Sequence, residues 1–105
     1  MLSFDHVGCA VANIRKAITA METIGYNFGS VVDDETRGVS ISFGHTGDFC
    51  VELVAPLRSG SPVDSVLNVM GPSPYHICYQ SDEFEGDMER CVRGGTSVLL
   101  FRPPQ

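Results

Sequence analysis

The sequence predicts an α+β fold in which two β-α-β-β-β modules follow one another and the second module is incomplete. Three observations favour this fold. Short apolar runs alternate with the two-residue period typical of strands, and two stretches with helical spacing each end at glycine. The residues around His6 also recur around His76 at an offset of 70 residues, which indicates two copies of one structural unit. We therefore expect one domain over residues 1–105, with a complete module at 1–70 and a partial module at 71–105.

The first module opens with a strand and a helix. Residues 2–11 alternate as a strand does, and His6 lies at the centre of this run. A helix follows, because Asn13 is a suitable N-cap and Gly25 a suitable residue to end it. Apolar residues recur at helical spacing between them, and the predicted inward face is Ile14, Ala17, Ile18, Met21 and Ile24.

Three more strands complete the first module. We expect them at Tyr26–Val32, Val39–Phe43 and Phe49–Ala55. A polar turn at residues 33–37 separates the first two strands, and a turn at residues 45–47 separates the last two. The histidine of the second turn is expected to be exposed and inert.

The second module repeats the order strand, helix, strand. A short helix at residues 62–70, capped by Ser61, precedes it. Its first strand is predicted at Tyr75–Gln80 and its last at Thr96–Phe101. The helix between these strands should turn its apolar residues inward, namely Phe84, Met88, Cys91 and Val92.

Composition limits the partners and the compartment. The chain has 13 acidic and 7 basic residues, a net charge of −6, which argues against nucleic acid or an anionic membrane surface as a partner. No apolar run is long enough to span a membrane, and the first ten residues do not resemble a signal peptide, so we expect a cytoplasmic protein. Its four cysteines form no CxxC pair and are expected to be reduced packing residues.

Three polar residues lie where a strand should be apolar. His6, Glu52 and His76 each occupy the centre of an apolar run, and burying an unpaired carboxylate or imidazole is unfavourable by several kcal/mol. A divalent metal coordinated by two imidazoles and a carboxylate removes this penalty. Each histidine taken alone fits a hydrogen-bonded structural residue better, whereas the three together leave a metal site and a structural cluster as equal alternatives.

Three segments carry a resemblance to a known family. DHVGCAVANIRKAI, VELVAPLRSGSPV and YHICYQSDEFEGDMERCVRGG, in this order, resemble the vicinal oxygen chelate superfamily, which includes glyoxalases, bleomycin resistance proteins and dioxygenases. Their closest pattern is that of methylmalonyl-CoA epimerases. The resemblance covers nearly the whole chain and implies a curved mixed sheet. It also implies a divalent ion, cobalt, nickel, manganese or zinc, held by His6, Glu52 and His76.

The resemblance implies an isomerase or lyase. An epimerase of this kind removes a proton next to a thioester carbonyl, and the implied acid–base groups here are Glu52 and Glu35. Glu35 is one residue out of the family's register, and an exposed acid in an acidic turn is the alternative. The implied substrate is an acyl-CoA or a thiol adduct, and the basic residues that could face a CoA group are Arg58, Arg93 and Arg102. A metal-free binding protein of the same fold, or an inactive relative, is the other functional alternative.

The family pattern extends beyond this sequence. It includes two further strands, the last of which carries a glutamate ligand. This difference has three alternative explanations: the protein is longer than this sequence, a partner subunit completes the sheet, or the protein has lost catalysis. Because unpaired sheet edges favour pairing with another chain, we expect a homodimer.

Overall fold

The computed structural model describes residues 1–95, which form a mixed α+β structure and confirm the predicted fold class. The described strands make one six-stranded sheet, and three helices accompany it. In chain order the elements are β1 (Leu2–Ala10), α1 (Ile14–Glu22), β2 (Asn27–Phe28), β3 (Val32–Asp34), β4 (Val39–Thr46), β5 (Phe49–Pro56), α2 (Asp64–Met70), β6 (Ser73–Ser81) and α3 (Phe84–Arg93). The strand predicted at Thr96–Phe101 lies outside the described residues.

The sheet combines parallel and antiparallel pairs. Its order is β2-β4-β5-β1-β6, and β3 also pairs with β4. Strand β1 runs parallel to β5 with Gly8 opposite Glu52, and β4 runs antiparallel to β5 with Phe43 opposite Glu52. Gly8, Glu52 and Phe43 therefore lie side by side across three strands.

The described chain forms two compact units. One unit comprises Asp5–Cys78, and the other comprises Met1–Phe4 with the residues from Tyr79 onward. The division into modules at residues 70 and 71 stays a prediction. Among the described helices, none combines the length and the apolar character needed to cross a membrane.

Both faces of the sheet carry core residues in the Asp5–Cys78 unit. On one face Leu53 and Ala55 pack with Ile14 of α1. On the other face Val54 packs with Val63, next to α2, in a cluster that also contains Ala10 and Val39. Since side chains two residues apart on a strand share a face, Glu52 lies on the same face as Val54.

The second unit is organised around a buried carboxylate. Asp87 on α3 is only 4% exposed. Its oxygens accept a hydrogen bond from the Ser81 hydroxyl at 2.6 Å and form an ion pair with Arg90. The amino group of Met1 lies 2.9 Å from Asp82 and 3.3 Å from Asp87. The Ser81 hydrogen bond, followed by these positive charges, lowers the pKa of Asp87. The carboxylate therefore stays ionised although it is buried.

Helix α1 begins where the sequence predicts, but it ends at Glu22, so Ile24, predicted on its inward face, lies beyond the helix and is 71% exposed. The Asn13 side chain accepts a hydrogen bond from the Lys16 N–H at 3.1 Å, as an N-cap does. Gly25 has a φ of +105°, which favours glycine after the end of a helix.

The predicted strand Tyr26–Val32 is wrong in extent. The structure divides it into β2 and β3, with Gly29 between them. The Gly29 N–H donates to the Phe43 carbonyl at 3.0 Å, and the Ser42 hydroxyl donates to the Gly29 carbonyl at 3.1 Å. The first two acids of the predicted polar turn, Asp33 and Asp34, consequently lie on β3.

One predicted turn and one predicted helix start lie at different residues in the structure. His45 is exposed, as predicted, but it lies on β4 opposite Cys50, because the chain turns at Gly47-Asp48. Helix α2 begins at Asp64, whose carboxylate accepts hydrogen bonds from the N–H groups of Gly60 and Ser61 at 2.9 and 3.0 Å. Asp64, which lies two residues after the predicted helix start at residue 62, thus orders the start of α2.

The predicted inward face of α3 is partly wrong. Phe84, Met88 and Cys91 are half-buried, but Val92 is 67% exposed. Asp87 occupies the buried position of this helix instead, because Ser81 and Arg90 satisfy its charge. Sequence periodicity counts apolar residues and therefore misses a buried acid.

Leu53 is completely buried, so truncating it should destabilise the protein strongly. We expect Leu53→Ala to lower the free energy of unfolding in urea by about 2–5 kcal/mol, because it removes apolar contacts and leaves a cavity. Val69→Ala is the control, since Val69 is 83% exposed and should change stability by no more than about 0.5 kcal/mol. Equal effects of the two variants would contradict the described core.

Candidate metal centre

The structure brings three residues singled out by the sequence into one cluster. Glu52 Oε1 lies 3.3 Å from His6 Nε2 and 3.3 Å from His76 Nε2. The side chains of His6, Glu52 and His76 are 10%, 15% and 32% exposed, so the cluster is largely shielded from water but open on the His76 side. Their role as metal ligands stays a prediction.

Strand pairing positions these three side chains. The parallel register sets Gly8 beside Glu52, and His6 shares the face of Gly8 because the two are two residues apart on β1. The His76 ring lies directly over Gly8, where a Cβ atom would come within 2.1–2.6 Å of three ring atoms. Gly8 is therefore required for the position of His76.

A carboxylate fixes the orientation of the His6 ring. Asp5 Oδ2 lies 2.6 Å from His6 Nδ1, a short hydrogen bond that assigns the ring proton to Nδ1. In the neutral ring Nε2 then carries a lone pair, and this lone pair faces Glu52 Oε1. Two acceptors facing each other need a shared proton or a cation between them.

The donor chemistry of the cluster fits a divalent metal. Imidazole nitrogen and carboxylate oxygen are the common ligands of zinc and related ions, and a carboxylate behind a ligating histidine is the usual outer partner. Among the described residues, a second compact set of donors is formed by His6, His76 and Cys78, whose ligand atoms all lie within 4.8 Å of one another. His6 and His76 thus belong to both arrangements.

Aromatic rings flank the two histidines. The Phe43 ring meets the His6 ring edge-on at a centroid distance of 5.3 Å, and the Tyr75 ring meets the His76 ring edge-on at 4.4 Å. Burial, followed by the negative charge of Glu52, raises the pKa of Tyr75 to about 12. Tyr75 is thus a neutral phenol at neutral pH and supplies no base.

Glu35, the second predicted acid–base residue, is not part of this cluster. It lines an acidic groove that also includes Phe43, the residue that contacts His6. Its side chain is 78% exposed and lies 3.5 Å from the Arg58 guanidinium, which also donates to the Glu35 carbonyl at 2.8 Å. The structure therefore places Glu35 on this groove and paired with Arg58, and the groove adjoins His6 through Phe43.

Sequence reasoning missed three residues that shape the centre. Asp5 directly precedes His6, and an Asp-His pair in a strand is a signal for an oriented imidazole. Gly8 follows His6 by two residues and so lies on the same face, where a missing side chain leaves room for a neighbour. Cys78 follows His76 by two residues, but the sequence prediction treats it as packing.

Comparison with known sequences identifies related proteins. Residues 5–105 match the sequence profile of the Glyoxalase/Bleomycin resistance protein/Dioxygenase superfamily. The chain is 31% identical over 104 residues to an ethylmalonyl-CoA/methylmalonyl-CoA epimerase of Cereibacter sphaeroides, a match that covers 96% of this chain and 77% of that protein. It is 33% identical over 81 residues to the mitochondrial methylmalonyl-CoA epimerase of Mus musculus, a match that covers 74% of this chain and 45% of the mouse protein.

Solved structures share the fold. A hypothetical protein from Bacillus halodurans gives a TM-score of 0.79 at 24% identity, with 90% of this chain and 69% of that chain covered. A Streptomyces coelicolor methylmalonyl-CoA epimerase in complex with 2-nitronate-propionyl-CoA gives a TM-score of 0.78 at 22% identity, with 98% and 76% covered. These likenesses confirm the fold class predicted from the sequence.

Replacing Gly8 should disturb the cluster through His76. We expect Gly8→Ala to displace the His76 ring, because the new methyl group would overlap three of its atoms, and to weaken binding of zinc measured by isothermal titration calorimetry. Gly29→Ala is the matched control, since a Cβ there comes no closer than 3.9 Å to a neighbour. Unchanged zinc binding by a folded Gly8→Ala protein would contradict the described position of His76.

Proposed function

Because the chain belongs to the glyoxalase/bleomycin resistance protein/dioxygenase superfamily, we propose that it is a metal-dependent epimerase that moves a proton next to a thioester carbonyl. One observation carries the proposal, the convergence of the Glu52 carboxylate on two imidazole nitrogens. Relatives named as epimerases of ethylmalonyl-CoA and methylmalonyl-CoA support the choice of reaction.

His6, Glu52 and His76 are the residues that would hold the metal. A divalent ion there would act as a Lewis acid that stabilises the enolate oxygen formed when the neighbouring carbon loses its proton. Asp5 keeps the His6 proton on Nδ1 and so directs the Nε2 lone pair inward. Phe43 packs beside His6 and limits access of water to that side.

Glu35 is the residue we assign to proton transfer. It shares a groove with Phe43, so a substrate that extends from His6 along this groove would lie next to it. Arg58 lies against it and offers a positive charge at the rim of the groove, as an acyl-CoA phosphate would need. Arg93 and Arg102, the other basic residues predicted to face a CoA group, do not support the proposal. Arg93 pairs with Glu89 at 3.8 Å, and Arg102 lies outside the described residues.

The expected partner is thus a small acyl-CoA or related thioester. A homodimer, predicted from unpaired sheet edges, belongs to the same proposal, and sedimentation at micromolar concentration tests it. If the protein sediments as a monomer at high micromolar concentration, the predicted dimer is wrong, and the proposed metal centre is unaffected.

Metal content is the first test of this function. We expect about one divalent ion per chain in protein purified without chelator, and loss of that ion in His6→Ala and His76→Ala, because each variant removes an imidazole ligand. Inductively coupled plasma mass spectrometry measures it. His45→Ala is the control, since His45 is an exposed histidine on β4 and should retain the ion. Full metal content in all three variants would contradict the site, and no metal after reconstitution would favour a metal-free binding protein.

Proton transfer has its own test. We expect Glu35→Gln to slow deuterium incorporation at the branched carbon of a 2-methyl-branched acyl-CoA in D₂O by roughly 10²–10⁴-fold, since it removes a general base. Proton NMR follows the exchange. Glu22→Gln on α1 is the control, because Glu22 is also an exposed acid and lies outside the groove. Equal exchange rates in the two variants, with the metal still bound, would exclude Glu35 as the base.

A further inference from the structure

We propose that Cys78 is an additional ligand of the metal held by His6 and His76, so that the centre selects zinc or cobalt over manganese and magnesium. The proposal rests on the metal site of the proposed function and names a residue outside the set predicted from the sequence. Its basis is the approach of the Cys78 sulfur to the two imidazoles, with all ligand atoms within 4.8 Å of one another.

The position of Cys78 follows from the strand that carries it. Cys78 lies two residues after His76 on β6, so the two side chains point to the same face of the sheet. Cys78 is half-buried and His6 is buried, which shields a metal–sulfur bond from water. A four-coordinate metal draws its ligand atoms to separations of roughly 3.5 Å, so the three donors need to close by only about 1 Å.

A thiolate would be attracted to an ion held in this cluster. When Cys78 coordinates, its thiol proton leaves to solvent and the sulfur donates an electron pair to the metal. Among the groups that would touch the ion, Glu52 is one negative ligand and the thiolate is a second, while the Asp5 carboxylate lies behind His6. The attraction between the thiolate and the ion is strong in a medium of low dielectric constant.

A thiolate also changes which metal is preferred. Soft sulfur ligands favour zinc and cobalt, whereas manganese and magnesium prefer oxygen ligands. Two imidazoles and a carboxylate alone would accept any of the first-row ions. Cys78 is therefore the residue that determines which metal ion the centre prefers.

The Asp5–Cys78 unit contains two other cysteines, Cys9 and Cys50. Burial raises the pKa of the Cys9 thiol, and burial together with the negative charges of Asp5 and Glu52 raises the pKa of the Cys50 thiol. Both therefore remain protonated packing residues, as the sequence predicts. Neither belongs to the group of donors around His6.

Cobalt(II) substitution tests the proposal without relying on activity. We expect the wild-type protein loaded with cobalt to show a thiolate-to-cobalt charge-transfer band in the near ultraviolet. Cys78→Ser should bind cobalt more weakly and lose this band, because a hydroxyl does not form it. Cys91→Ser is the matched control, since Cys91 is also half-buried but lies on α3, and it should keep the band.

X-ray absorption at the zinc edge tests the same bond in the wild-type protein, so the proposal does not depend on the folding of a variant. A sulfur scatterer at about 2.3 Å supports Cys78 ligation. Bound metal with only nitrogen and oxygen scatterers, or a cobalt band that survives in Cys78→Ser, would overturn it while leaving the proposed function intact. Failure of the wild-type protein to bind either metal would overturn both.

Discussion

Parallel pairing of β1 with β5 is the constraint on which the candidate centre depends. This pairing sets Gly8 opposite Glu52 and brings His6 to the same face. Parallel strands need a long crossover, which here consists of α1 and strands β2 to β4. The buried neighbours of Glu52, Val51 and Leu53, hold its strand in this register. Assembly of the centre is therefore coupled to folding of the Asp5–Cys78 unit.

The cluster is also constrained by charge. Glu52 contributes one carboxylate between two imidazoles, and Asp5 contributes a second carboxylate behind His6. Such an arrangement is unfavourable in a shielded site unless protons or a cation balance it. The structure thus holds together a set of acceptors that a divalent ion would satisfy. The flanking rings of Phe43 and Tyr75 strengthen this requirement because they displace water.

The sequence predicts the elements whose signals are local. Asn13 and Gly25 mark α1 through their own backbone preferences, and the apolar run of β5 makes Glu52 conspicuous. The approach of His6, Glu52 and His76 could be predicted because burial of each one needs a partner. The division of the strand at Gly29 could not, since the hydrogen bonds of Gly29 to Ser42 and Phe43 join residues distant in the sequence. Cys78 was missed for a similar reason, because a cysteine in an apolar strand is typical of packing until its neighbours across the sheet are known.

The central claim is that the acceptors around Glu52 enclose a cation. Anomalous diffraction at the zinc edge, from crystals of the full chain grown with zinc, tests it most directly. We expect one strong anomalous peak within bonding distance of His6 Nε2 and His76 Nε2, beside the Glu52 carboxylate. A zinc peak elsewhere, with Glu52 still hydrogen-bonded to both imidazoles, would contradict the account and leave the cluster as a structural hydrogen-bond network.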